Sequence, residues 1–217
     1  MQRVSFLGHE GGPKTILAIG AHADDIEIGS GGTILRLLEE NPGIKVYWIV
    51  LGASEQRKPE AVRSANQFLT NAEQKEIVVK EFRDGYFPYI GGLIKDFFEE
   101  LGRNCAPDLI LTHYRGDLHQ DHRLVSELTW NTFRNHLILE YEIVKYDGDL
   151  GAPNLFVDLN ESIVRKKIQI ITDCFVSQRD KNWFSASTFS SILRIRGVEC
   201  RAPSGLAEAF HSRKLVM

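Results

Sequence analysis

The sequence predicts an α/β protein built on a Rossmann-like, mostly parallel sheet with helices on both faces. Three observations carry this expectation. Strand-like and helix-like segments alternate along the chain, as they do in βαβ units. The clearest strand candidate, Val46 to Leu51, is a continuous apolar run, the pattern of a strand covered on both faces. Two strand candidates end directly in clusters of histidine and aspartate, at the sheet edge where open α/β folds keep their sites.

In order, Met1 to Pro13 reads as an irregular lead-in that Gly11-Gly12-Pro13 ends. Ile16 to Ala21 is an apolar strand. A polar turn follows, His22-Ala23-Asp24-Asp25, then Gly29-Ser30-Gly31-Gly32-Thr33 and a helix through Ile34, Leu35, Leu37 and Leu38. Asn41-Pro42-Gly43 is a turn before the strand Val46 to Leu51. Pro59 to Leu69 has helical spacing, with Pro59 suited to a first turn. Ile77 to Val79 is a short strand, Asp84-Gly85 a turn, and Leu93 to Leu101 a helix with Phe97 and Phe98 inward. Pro107-Asp108 breaks it, and Leu109 to Thr112 is a fourth strand. Leu124 to Leu139 reads as helix, Tyr141 to Tyr146 and Leu155 to Leu159 as strands, and Glu161 to Val176 as helix. Phe184 to Met217 reads as a loop-rich lid or edge. Right-handed crossovers would bring the strand ends, and both polar clusters, to one edge of the sheet.

The 217 residues suit one large domain spanning 1–217, and 43% hydrophobic residues is ordinary for a globular chain. A net charge of −3 gives no case for nucleic acid as a partner. No apolar window of about twenty residues exists, so no membrane span is expected. Met1 to Lys14 lacks the apolar core of a secretory leader. Cys105, Cys174 and Cys200 are widely spaced, odd in number and without a C-x-x-C. They read as reduced thiols, which places the protein in the cytoplasm. Assembly into a homo-oligomer is left open by composition.

The first cluster offers His22, Asp24 and Asp25. The second offers His113, Asp117, His119, Asp121 and His122. Together they hold four of the seven histidines. Neutral imidazole and carboxylate suit Zn²⁺, and also Fe²⁺ or Mn²⁺, and two histidines with one carboxylate is a common catalytic set. Either cluster alone has a bland explanation: a satisfied polar residue at a strand end, or an Asp-Asp cap. Both on one sheet edge point to a metal site. The glycines after the first strand could imitate a dinucleotide loop. The G-x-G-x-x-G spacing is absent, however, and Asp24-Asp25 would set negative charge beside a phosphate. His9, His136 and His211 read as surface or packing residues, and Trp48 and Trp130 as core. Trp183 and Phe184 could serve as core, rim or sugar platform.

The stretch Ala21-His22-Ala23-Asp24-Asp25-Ile26-Glu27-Ile28-Gly29, with Gly31-Gly32-Thr33 after it, resembles the signature of the LmbE/PIG-L family of metal-dependent N-acetylglucosamine deacetylases. His119-Gln120-Asp121-His122 resembles its second motif. Arg57-Lys58-Pro59-Glu60, Arg83-Asp84-Gly85, the segment Pro107-Asp108 to His113, Ser177-Gln178 and Ala207-Glu208-Ala209-Phe210 extend the likeness over nearly the whole chain. Ala23 departs from it, since the family usually has proline there, and the turn loses a rigid φ.

The resemblance implies a metal, zinc with iron(II) as the alternative, held by His22, Asp25 and His122. It implies Asp24 as general base, His119 as the group that polarises the transition state with Asp121 as its carboxylate partner, and Arg57 and Asp84 as contacts to sugar hydroxyls. The implied reaction removes acetate from an N-acetylated amino sugar or its conjugate, with a water on the metal as nucleophile. Asp24, next to a ligand, can take that water's proton. A protonated His119, its pKa raised by Asp121, would stabilise the oxyanion. The competing reading is a non-catalytic sugar- or nucleotide-binding domain on the same fold. Retention of the base and all three ligands favours the enzyme.

Overall fold

The computed structural model describes residues 12–215. The lead-in expected over Met1 to Pro13 lies outside the described residues up to residue 11, and His9 lies there too. In chain order the elements are β1 (Thr15–His22), α1 (Asp25–Glu40), β2 (Lys45–Gly52), α2 (Arg57–Phe68), β3 (Gln74–Val79), α3 (Gly91–Asn104), β4 (Leu109–His113), α4 (Gln120–Thr132), β5 (Leu137–Tyr141), β6 (Leu155–Asp158), α5 (Glu161–Cys174), α6 (Ala186–Cys200) and β7 (Ala207–Ser212).

The seven strands form one sheet in the order β3-β2-β1-β4-β5-β7-β6. The first five are parallel, and β7 runs antiparallel between β5 and β6. The apolar runs are short and buried on both sides. Ile16, Ala18, Val46, Trp48, Val50, Leu109 and Leu111 face a core shared with α1, α2, α5 and α6. Leu17, Ile19, Ala21, Tyr47, Ile49, Leu51 and Ile110 face a second core with Ile94 and Phe98 of α3 and Val125 of α4. The mostly parallel α/β sheet with helices on both faces is therefore as the sequence predicts. The chain runs outward from β1 through β2 to β3, then returns to lay β4 against the other side of β1. That reversal opens a crevice between the C-terminal ends of β1 and β4, the natural place for a site.

Several boundaries differ from expectation. The helix expected over Leu124 to Leu139 stops at Thr132, and Phe133 leaves helical geometry with φ −111° and ψ 52°. Leu137-Ile138-Leu139 instead pairs in register with Leu109-Ile110-Leu111 as β5. Of the strand expected over Tyr141 to Tyr146, only Tyr141 belongs to β5. A short buried apolar run reads alike as helix or strand, and here the open edge of β4 decides.

The region expected to be loop-rich, Phe184 to Met217, contains a fifteen-residue helix, α6, and strand β7. Helix α6 is rich in serine and threonine and buries only Phe189, Leu193, Arg196 and Gly197, so its periodicity is faint. Ser185 caps it, accepting the Thr188 N–H at 3.1 Å.

Helix α1 begins at Asp25, and the glycines expected to precede it lie inside it. They are there for space. A Cβ on Gly29 would sit 2.2 Å from the Tyr141 ring. Gly32 lets a carboxylate from β7 reach the helix: Glu208 accepts the N–H groups of Gly32 and Thr33 at 2.7 and 2.6 Å. Lys167 of α5 pairs with the same carboxylate at 2.6 Å and donates to the Ile28 carbonyl at 2.7 Å, all of it buried. Among the described residues no helix is long and apolar enough to cross a membrane.

Candidate metal centre

Strand β1 delivers His22 at its end, and β4 delivers His113 beside it. Asp24 takes a left-handed conformation, φ 95°, so that the chain turns from β1 into α1 within two residues. Such a conformation is costly for a residue with a Cβ and occurs chiefly where a site requires it. His119 caps α4 from the loop after β4, and Asp121 and His122 lie in the first turn of that helix. The eight residues singled out from sequence, His22, Asp24, Asp25, Arg57, Asp84, His119, Asp121 and His122, all come together in this crevice.

Three donor atoms form a compact triangle. His22 Nδ1 is 3.2 Å from His122 Nε2 and 3.5 Å from Asp25 Oδ2, and His122 Nε2 is 3.5 Å from the same oxygen. A tetrahedral zinc with ligand bonds of about 2.0–2.2 Å requires edges of about 3.3 Å. The three residues are buried. Burial and the nearby His113 push the pKa of His122 down to about 4, so its imidazole is neutral. Asp25 is held well below the usual carboxylate range: burial opposes its charge, and His122 and His113 outweigh it. His22 loses by burial but gains more from hydrogen bonds to Asp121, Asp25 and Asp84, which raise its pKa well above the ordinary value. The carboxylates around His22 thus favour positive charge in the midst of the cluster.

Asp24 differs from its neighbour. Its Oδ1 lies 2.9 Å from Arg57 Nη2, while Oδ2 is buried without a hydrogen-bond partner. Burial raises its pKa to about 6 against the pull of Arg57. Arg57 also donates to the Ala23 carbonyl. Its guanidinium therefore grips the turn that carries Asp24. Asp84 is largely exposed and sits 3.0 Å from His22 Nε2.

Asp121 is turned differently from the sequence-based pairing. Its side chain meets His22 Nε2 at 3.2 Å and accepts the N–H groups of Gly85 and Phe87 at 2.6 and 3.1 Å. Its link to His119 runs through the backbone instead, the Asp121 N–H donating to His119 Nδ1 at 3.2 Å. The pKa of His119 is lowered rather than raised, by burial and by the charge on His22.

Three neighbours were given no role from the sequence: His113 and Asp117, which stand in the second cluster, and Lys145, which does not. His113 is fully buried, accepts the Ala21 N–H at 2.9 Å and stacks on His122 with centroids 3.9 Å apart. Asp117 accepts from His122 Nδ1 at 2.9 Å, and Lys145 stands 3.0 Å behind it. Asp117 is visible in the second cluster, two residues before His119, but Lys145 lies in a loop with no motif to mark it. His211 stacks on Tyr114 and His136 packs on Phe133. Trp48 and Phe184 are core, Trp183 packs against that core, and Trp130 is partly exposed with its indole N–H on Glu140.

A family model described as "PIG-L: GlcNAc-PI de-N-acetylase" matches residues 17–133. Among solved structures, the fold is similar to that of N,N'-diacetylchitobiose deacetylase from Pyrococcus horikoshii, with TM-score 0.69, 21% identity, and coverage of 92% of this chain and 84% of that one. It is similar to the 4-carboxy-2-hydroxymuconate hydratase GalB of Pseudomonas putida, with TM-score 0.68, 18% identity, and coverage of 94% and 98%. It is also similar to a teicoplanin deacetylase in a zinc-inhibited form, with TM-score 0.68, 14% identity, and coverage of 91% and 97%. A hydratase among deacetylases means that the shared fold leaves the reaction to be argued from the site.

Proposed function

The chain belongs to the PIG-L family, whose model spans residues 17–133, and from that premise we propose that it is a metal-dependent amidohydrolase that removes acetate from an N-acetylated amino sugar or its conjugate. The observation that supports this most is the triangle of His22 Nδ1, Asp25 Oδ2 and His122 Nε2, with edges of 3.2 to 3.5 Å. These three residues would hold the cation, zinc or alternatively iron(II). Such an ion supplies Lewis acidity to a carbonyl oxygen and lowers the pKa of water beside it.

The remaining work falls to side chains. Asp24 is the general base. Its Oδ2 has no hydrogen-bond partner among the described residues and is left to take a proton from water, while Arg57 fixes Oδ1. A pKa of about 6 leaves it ionised at neutral pH yet basic enough to accept. His119 accepts at Nδ1 and so carries its hydrogen on Nε2, on a half-buried ring. In this neutral form it donates to the developing oxyanion. Asp121 steadies His22 and, through its own N–H, the tautomer of His119. Asp84, exposed beside His22, is placed to accept from a sugar hydroxyl. Arg57 serves the base first, with its remaining donors left for substrate.

The test is acetate release over a panel of N-acetylated sugars and their lipid, nucleotide and peptide conjugates, beside metal analysis of the purified protein. Acetate release with one bound ion supports the reading. A protein that binds ion and sugar but releases no acetate would be a binding domain instead.

A further inference from the structure

We propose that Lys145, acting through Asp117, is a positioning residue for the ligand nitrogen of His122. The inference rests on the reading of His122 as a metal ligand. His122 Nδ1 is 2.9 Å from Asp117 Oδ2, and Lys145 Nζ is 3.0 Å from that same oxygen. The other oxygen, Oδ1, accepts the His119 N–H at 2.8 Å. Lys145 also pairs with Asp149, whose Oδ2 accepts the Leu118 N–H at 2.7 Å. The side chains of all four residues, His122, Asp117, Lys145 and Asp149, are buried, none more than 9% exposed.

This arrangement does three things. An ionised Asp117 can only accept, so His122 must carry its hydrogen on Nδ1 and present the Nε2 lone pair to His22 and Asp25. A buried carboxylate facing a neutral imidazole alone would be expensive; the ammonium of Lys145 supplies the missing charge. Lys145 also ties the loop after β5 to the loop after β4, which carries His119. Stacking of His113 on the ring, with centroids 3.9 Å apart, holds the plane of His122. A single cation outside the ligand set thus determines where the ligand's lone pair points.

Metal-stripped protein titrated with Zn²⁺ against a competing chelator provides the test. Wild type should take one ion. Asp117→Asn and Lys145→Met should each weaken binding about 10- to 100-fold. Lys145→Arg, which restores the charge and a donor, should recover most of the loss. Nitrogen NMR of the metal-free histidines should show His122 protonated at Nδ1 in wild type and mixed between tautomers in Lys145→Met. Lys145→Gln replaces that variant should it fail to fold. Wild-type affinity in a folded Lys145→Met or Lys145→Gln protein, or failure of Lys145→Arg to recover any binding, overturns the inference while His122 remains a ligand. A wild-type protein that binds no Zn²⁺ overturns the ligand assignment itself and the inference with it.

Discussion

Arg57 Nη2 meets Asp24 Oδ1 at 2.9 Å and leaves Oδ2 of that carboxylate buried and unpaired. Its neighbour Asp25 has no such freedom. Asp25 Oδ2 accepts the His22 N–H at 2.6 Å and closes the triangle with His22 and His122. Adjacent residues of the same type are thereby given opposite tasks. Asp24→Asn should retain metal and lose about 10² to 10⁴ in rate. Asp25→Asn should lose metal. Metal content and single-turnover rate, measured side by side, check this, and the reverse pattern would exchange the roles.

The same ion pair gives Arg57 a kinetic signature. Removal of its charge takes away the largest pull against burial, so the Asp24 pKa rises above its value of about 6. The base must be ionised to work, so the acid limb of the pH–rate profile should move to higher pH in Arg57→Met, and kcat should fall. A change in KM alone would instead mean that Arg57 serves the sugar and not the base.

Glu27 is fully buried in the first turn of α1, and among the described residues neither carboxyl oxygen has a hydrogen-bond partner. Burial pushes its pKa up to about 8. A carboxyl that stays protonated when folded but ionises near 4.5 when unfolded adds stability below that lower value. The contribution declines as pH rises to about 8. Glu27→Gln should flatten that decline and raise Tm at pH 8 and above, by roughly 2–4 °C per kcal/mol recovered. Thermal unfolding of metal-free protein across this range is the measurement; parallel curves for the two proteins would rule the idea out.

Gly29→Ala tests the packing that holds α1 against the sheet. Alanine is the better helix former by about 1 kcal/mol. The added methyl would nevertheless lie 2.2 Å from the Tyr141 ring. Overpacking of this kind costs about 1–3 kcal/mol. Urea unfolding should show a net loss, and a gain would mean that the ring moves aside freely.

What could be read in advance follows from how local each signal is. His22, Asp24, Asp25, His119, Asp121 and His122 sit within two short spans, and the strands before them are unbroken apolar runs, so their convergence followed from topology alone. Lys145 could not be found this way. It reaches Asp117 across 28 positions, from a loop whose course depends on β5, and β5 itself was hidden in what read as a continuing helix. Asp121 shows the limit in finer detail: the family resemblance implied His119 as its partner, yet the loop through Gly85 and Phe87 turns it to His22. Helix α6 and β7 were obscured because serines and a buried glutamate interrupt the alternation by which such elements are recognised.

That glutamate has a temporal consequence. Glu208 binds the N–H groups of Gly32 and Thr33 across 176 and 175 positions of sequence. Helix α1 leaves the ribosome long before the carboxylate that completes it. Closing so long a loop is slow compared with forming a helix. Asp25, at the head of α1, must therefore wait for β7 before its surroundings are complete. A nascent chain stalled short of Glu208 would carry every donor of the metal centre but not the scaffold that holds α1 in place. The centre is thus complete only once β7 has joined the sheet.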